Sequence, residues 1–96
     1  MLVKFESPSS GPFITTQSVA EQLVKAMGKS DSLEGIIVSK EVKKTIQKLE
    51  LKVRLEKNEL EYSEKSKVKF SQRAFPLIKM LKRAELKNEF IFWREI

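Results

Sequence analysis

Apolar and polar residues alternate at the start of the chain. Val3 and Phe5 fall on one face of Leu2-Val3-Lys4-Phe5-Glu6, the pattern of a short half-buried strand. Ser7-Pro8-Ser9-Ser10-Gly11-Pro12 then reads as a turn-rich loop, because proline fixes φ and glycine permits positive φ. The period changes next. Val19, Ala20, Leu23, Val24 and Met27 recur at helical spacing, and Ser18-Val19-Ala20-Glu21 has the spacing of a capping box. Gly28 supplies a stop, so a helix is expected from about Thr16 to Met27.

Lys29 to Glu34 is polar and reads as a loop. Gly35-Ile36-Ile37-Val38 has the length and β-branched content of a short buried strand, with Ser39 placed to cap a second helix. Val42, Ile46, Leu49 and Val53 make one helical face. Residues 49–56 also alternate at period two, as a half-buried strand does. Helix is favoured there because no turn residue separates 40–48 from 49–56 and the composition suits a helix.

Glu59 to Lys69 mixes charges and serines with little to bury, and reads as a connection. A third helix follows, with Ser71 as its cap and Phe70, Ala74, Leu77, Ile78, Leu81 and Ala84 as its stripe. Pro76 has no N–H to donate, so this helix is expected to begin near Phe75 or to bend there. Glu89 to Trp93 is nearly continuous in apolar residues and reads as a central or well-covered strand. The expected fold is one α+β domain over residues 1–96 in the order β-α-β-α-α-β. Its sheet has two or three strands, shared by the two ends of the chain, with three helices on one face and edges open to pairing across a dimer.

Composition then narrows the chemistry. There is no cysteine and no histidine, which removes disulfides, thiolate and imidazole metal ligation, and the commonest nucleophile and general base. Catalysis would fall to carboxylates, Lys, Ser/Thr, Tyr62 or Arg, so a non-enzymatic role without a cofactor or metal is expected. No apolar run approaches a membrane span, and the first residues lack the features of a signal peptide, which makes the cytoplasm the expected location. The net charge of +6 is concentrated in two segments. Residues 40–58 carry seven Lys/Arg against three acids, and residues 71–88 carry five against one.

These segments hold the candidate site residues. Lys79, Arg83 and Lys87 recur every four residues and form a basic ridge able to track phosphates. Few aromatics stand near it, and Phe75 is expected in the core, so an ordinary solvated face is the favoured reading. Leu51 and Leu55 project opposite the 42/46/49/53 face, toward the third helix or another subunit. Trp93, the sole tryptophan, reads as a core or interface anchor. Gly28-Lys29-Ser30 has the form of a P-loop tail but follows a helix instead of opening one, and Leu23 stands where that motif needs a glycine.

Taken together, Met1-Leu2-Val3-Lys4-Phe5, Val19-Ala20-Glu21-Gln22-Leu23 with Met27-Gly28, the stretch Ser71-Gln72-Arg73-Ala74-Phe75-Pro76-Leu77-Ile78 with Met80-Leu81, and Phe92-Trp93 resemble a bacterial family known as domain of unknown function eighteen-forty. The resemblance implies a small bacterial cytosolic protein and carries no catalytic residues. The chain departs from the family's pattern in its Lys-rich middle connection and in Thr16-Gln17-Ser18 at a helix start. Arg73, the basic residue of the most distinctive stretch, is either a structural anchor for the last helix or a site residue. The leading functional expectation is a non-enzymatic binding or interaction module that self-associates. The alternatives are a nucleic-acid or polyanion binder and, third, a carboxylate-based enzyme.

Overall fold

A computed structural model describes residues 1–29, 33–60 and 70–96. The middle of the expected Lys29–Glu34 loop and most of the expected Glu59–Lys69 connection therefore lie outside the described residues. The elements are β1 (Leu2–Ser7), β2 (Ser10–Thr16), α1 (Gln17–Ala26), β3 (Gly35–Ile37), α2 (Ser39–Leu60), α3 (Phe70–Lys87) and β4 (Ile91–Glu95). The strands form one antiparallel sheet in the order β2-β1-β4-β3, so the two ends of the chain lie side by side at its centre.

The α+β class, the three helices and the central position of the last strand agree with the sequence reading. The strand count does not. Residues expected as loop belong to a hairpin, with Pro8-Ser9 as its turn and β2 as its second strand. Phe13-Ile14-Thr15-Thr16 supplies the β-branched and aromatic residues that a strand favours. Pro12 is tolerated because β2 is an edge strand and Pro12 falls at the irregularity between the Phe5–Phe13 and Ser7–Ser10 pairs, where it has no partner in the register.

Phe13, Phe5, Trp93 and Gly35 stand opposite one another in a single row across all four strands. The Phe5 and Phe13 rings stack at 5.7 Å between centroids, and Phe5 meets Trp93 at 5.8 Å. Gly35 ends the row because the six-membered part of the Trp93 indole lies where its side chain would be. Trp93 is only 2% exposed, so of its two expected readings the structure selects core anchor, and it is not available to a partner. Val3, Ile37 and Ile91 share this inner face with the apolar stripes of the helices.

The helix termini correct the expected caps and start of α1 and α3 and bear out the stop at Gly28. Thr16, not Ser18, caps α1, its hydroxyl accepting from the Val19 N–H at 3.4 Å. At the other end Gly28 adopts φ 84°, with the Gly28 N–H bonded to the Lys25 carbonyl and the Lys29 N–H to that of Val24. That is a Schellman stop, and it leaves Gly28-Lys29 at the wrong end of a helix to cradle phosphate. Helix α3 starts at Phe70 and runs through Pro76. The residue whose carbonyl loses its partner there, Gln72, is exposed, so water can replace the missing N–H.

The cap of α3 is not Ser71. The Glu56 carboxylate, from α2, accepts the backbone N–H groups of both Phe70 and Ser71, the latter at 3.2 Å. A negative group at a helix N-terminus also meets the positive end of the macrodipole. One turn earlier, Lys52 holds its ammonium 5.5 Å from the Phe70 ring centre. Residues 49–56 are helical throughout, which resolves their double periodicity.

Gly35→Ala should lower stability by about 1–3 kcal/mol through overpacking against Trp93, read as a lower urea midpoint with unchanged slope. Glu56→Ala should cost about 0.5–2 kcal/mol by uncapping α3. Glu56→Gln, which keeps one acceptor oxygen, should recover part of that loss.

Candidate functional site

The hairpin turn is tied to the segment that leads into β4. Ser7 donates its hydroxyl to the Phe90 carbonyl at 2.9 Å. Ser9 donates both its backbone N–H, at 3.1 Å, and its hydroxyl, at 2.6 Å, to the Glu89 carboxylate. Asn88, with φ 54°, turns the chain so that Glu89 can face the hairpin. These bonds join residues about eighty positions apart in the chain, and they set β2 beside α3.

Between them runs an open cleft of about 790 Å³. One wall is the hairpin from Ser9 to Ile14. The other is the flank of α3 at Pro76, Lys79, Arg83 and Leu86. Neither Lys79 nor Arg83 makes an ion pair with any described residue. Lys82 also borders the cleft but is paired with Glu50 at 3.2 Å. The nearby carboxylate of Glu89 is occupied by Ser9. A second hollow of about 730 Å³ lies along α2 and α3, lined by Val53, Phe75 and Ile78 among others. Lys79 borders both hollows.

Phe75 is 64% exposed, where the sequence reading placed it in the core. The helical angle explains this. Residue 75 lies two positions before Leu77, about 200° around the helix, and so faces away from the buried stripe. One turn along α3 from it stands Lys79. Phe75 and Lys79 border the second hollow and Lys79 and Arg83 border the cleft, so Lys79 links the aromatic face to the cationic flank.

The other candidates fall elsewhere. Lys87, the last member of the basic ridge, is exposed and borders neither hollow; it sits in the last turn of α3, where a cation favours the helix C-terminus. Arg73 donates to the side-chain oxygen of Gln22 at 2.9 Å, bridging α3 to α1. It does not line the cleft. Leu51 and Leu55 are exposed on the outer side of α2, so α3 does not cover them. Among the described residues no group of three acids, histidines or cysteines could hold a metal ion, and no helix is long and apolar enough to cross a membrane.

This geometry defines a small α+β domain that presents a cationic helix flank against a hydroxyl-bearing hairpin. The chain belongs to the family described as Domain of unknown function (DUF1840), whose model matches residues 1–93. No curated protein and no solved structure matches it.

Arg73→Ala removes one exposed bond to a neutral acceptor and should cost about 0.5–1.5 kcal/mol, as measured by denaturation. Gln22→Ala should cost a similar amount. The double variant should be no worse than either alone, because both remove the same bond.

Proposed function

We propose that this chain is a non-enzymatic binding module for phosphate-bearing polymers, with single-stranded nucleic acid as the ligand that suits it best. The observation that carries the reading is the exposure of Phe75 one helical turn from Lys79 and two from Arg83, two cations that have no ion-pair partner among the described residues. Single strands are held by cations that follow the backbone and aromatic faces that take the bases. In this arrangement the backbone follows Lys79 and Arg83 through the cleft, and a base stacks on Phe75. The Ser10 hydroxyl and the open space over Gly11 leave room for a phosphate on the hairpin side.

Three of the carboxylates are committed to structural bonds. Glu50 is paired with Lys82, Glu56 caps α3 and Glu89 holds the hairpin turn. Each has a structural task, and none faces a second carboxylate in these interactions.

Fluorescence anisotropy with a labelled oligothymidine or oligouridine across a salt series tests the proposal. The wild type should bind at low salt. Lys79→Gln with Arg83→Gln should weaken binding and flatten the slope of log K against log salt by about 0.7 for each phosphate no longer neutralised. Phe75→Ala should lose about 1–3 kcal/mol of binding with little change in slope, because stacking is not electrostatic. Failure of the wild type to bind either strand at low salt contradicts the proposal.

A further inference from the structure

The sheet covers its core with one face and leaves the other bare. Its edges are poorly suited to pairing with a second sheet, since β2 carries Pro12 and β3 is only three residues long. The bare face is better suited. Leu2, Ile14 and Ile36 are exposed on it, Phe92 is half-buried, and no helix among the described residues covers it. Near its middle Lys4 and Glu6 pair at 3.1 Å, with side chains 24% and 26% exposed.

We infer that this face is the interface of a homodimer, with a second copy of the chain as its occupant. Charge complementarity selects a second copy as the occupant. Lys4 and Glu6 lie two positions apart on one strand, on either side of Phe5. A two-fold axis parallel to the sheets and perpendicular to β1 reverses that strand over its copy. Lys4 of each chain then stands over Glu6 of the other, and the flanking apolar side chains are shielded from water. The register extends the match: Arg94 lies beside Lys4 and Phe92 beside Glu6, so the same axis sets the Arg94 guanidinium over the Phe92 ring of the second copy. The exposed Leu51 and Leu55 on α2 lack this property. Lys44, Lys48 and Lys52 surround them, and a two-fold contact there sets lysine against lysine.

Sedimentation velocity at concentrations up to several hundred micromolar tests the interface, with circular dichroism confirming each fold. The wild type should sediment as a dimer. Lys4→Glu alone and Glu6→Lys alone should each be monomeric, because each sets like charges against each other. An equal mixture of the two variants should restore a dimer, since one supplies only acids and the other only lysines at these positions. If either charge variant fails to fold, Ile36→Lys, at an exposed position on the same face, should give a folded monomer. Leu51→Lys with Leu55→Lys should leave the dimer intact. A wild type that stays monomeric, a mixture that stays monomeric, or dissociation by the Leu51/Leu55 variant overturns the inference.

Discussion

The row Phe13–Phe5–Trp93, closed by Gly35, is the packing on which the rest of the structure depends. It takes one residue from every strand, and its members come from both ends of the chain. The indole can lie flat over β3 only because Gly35 has no side chain. Aromatic pairs of this kind contribute about 0.5–1.5 kcal/mol beyond the area they bury, so the row favours one register over its slipped alternatives. A shift of one residue in β4 would carry Trp93 to the bare face and Phe92 into the core.

The cleft follows from that register. Once β4 lies beside β1, Phe90 and Glu89 are brought to the hairpin turn, where Ser7 and Ser9 bond to them. The hairpin then stands against α3, and Lys79 and Arg83 face its serines across open space. No described acid pairs with these two cations, although the same chain pairs Lys82 with Glu50 and Lys29 with Glu41. The cationic flank of α3 lies on the helix-covered side of the sheet and the proposed dimer face on the other, the two surfaces meeting at Ile14 on the β2 edge. A dimer built on the bare face therefore presents two cationic clefts outward, and binding of one strand to both gains from effective concentration.

Much of the fold was legible in local pattern. Val3 and Phe5, the stripes of the three helices, Gly28 as a stop and the strands at 35 and 91 all follow from periodicity and turn chemistry. The second strand was obscured because Ser10-Gly11-Pro12 reads as loop, and its place on an edge strand at a register irregularity makes Pro12 acceptable. The capping role of Glu56 and the tie between Ser9 and Glu89 had no local signal, since each joins segments distant in sequence. The candidate site was half legible. Lys79 and Arg83 were visible as part of a ridge with Lys87, which does not line the cleft, and the outward angle of Phe75 was present in the stripe around Leu77. Assigning Phe75 by its hydrophobicity instead of its angle concealed the aromatic half of the surface.

Mapping the surface that meets the ligand tests the account most directly. Amide chemical shifts should be followed by nuclear magnetic resonance while a short oligothymidine is titrated into the labelled protein at low salt. Shifts should concentrate in the hairpin from Ser9 to Ile14 and along α3 from Phe75 to Leu86, with the bare face at Lys4, Glu6 and Phe92 undisturbed. Shifts centred on that bare face, or on the Lys44–Lys52 side of α2, would contradict it.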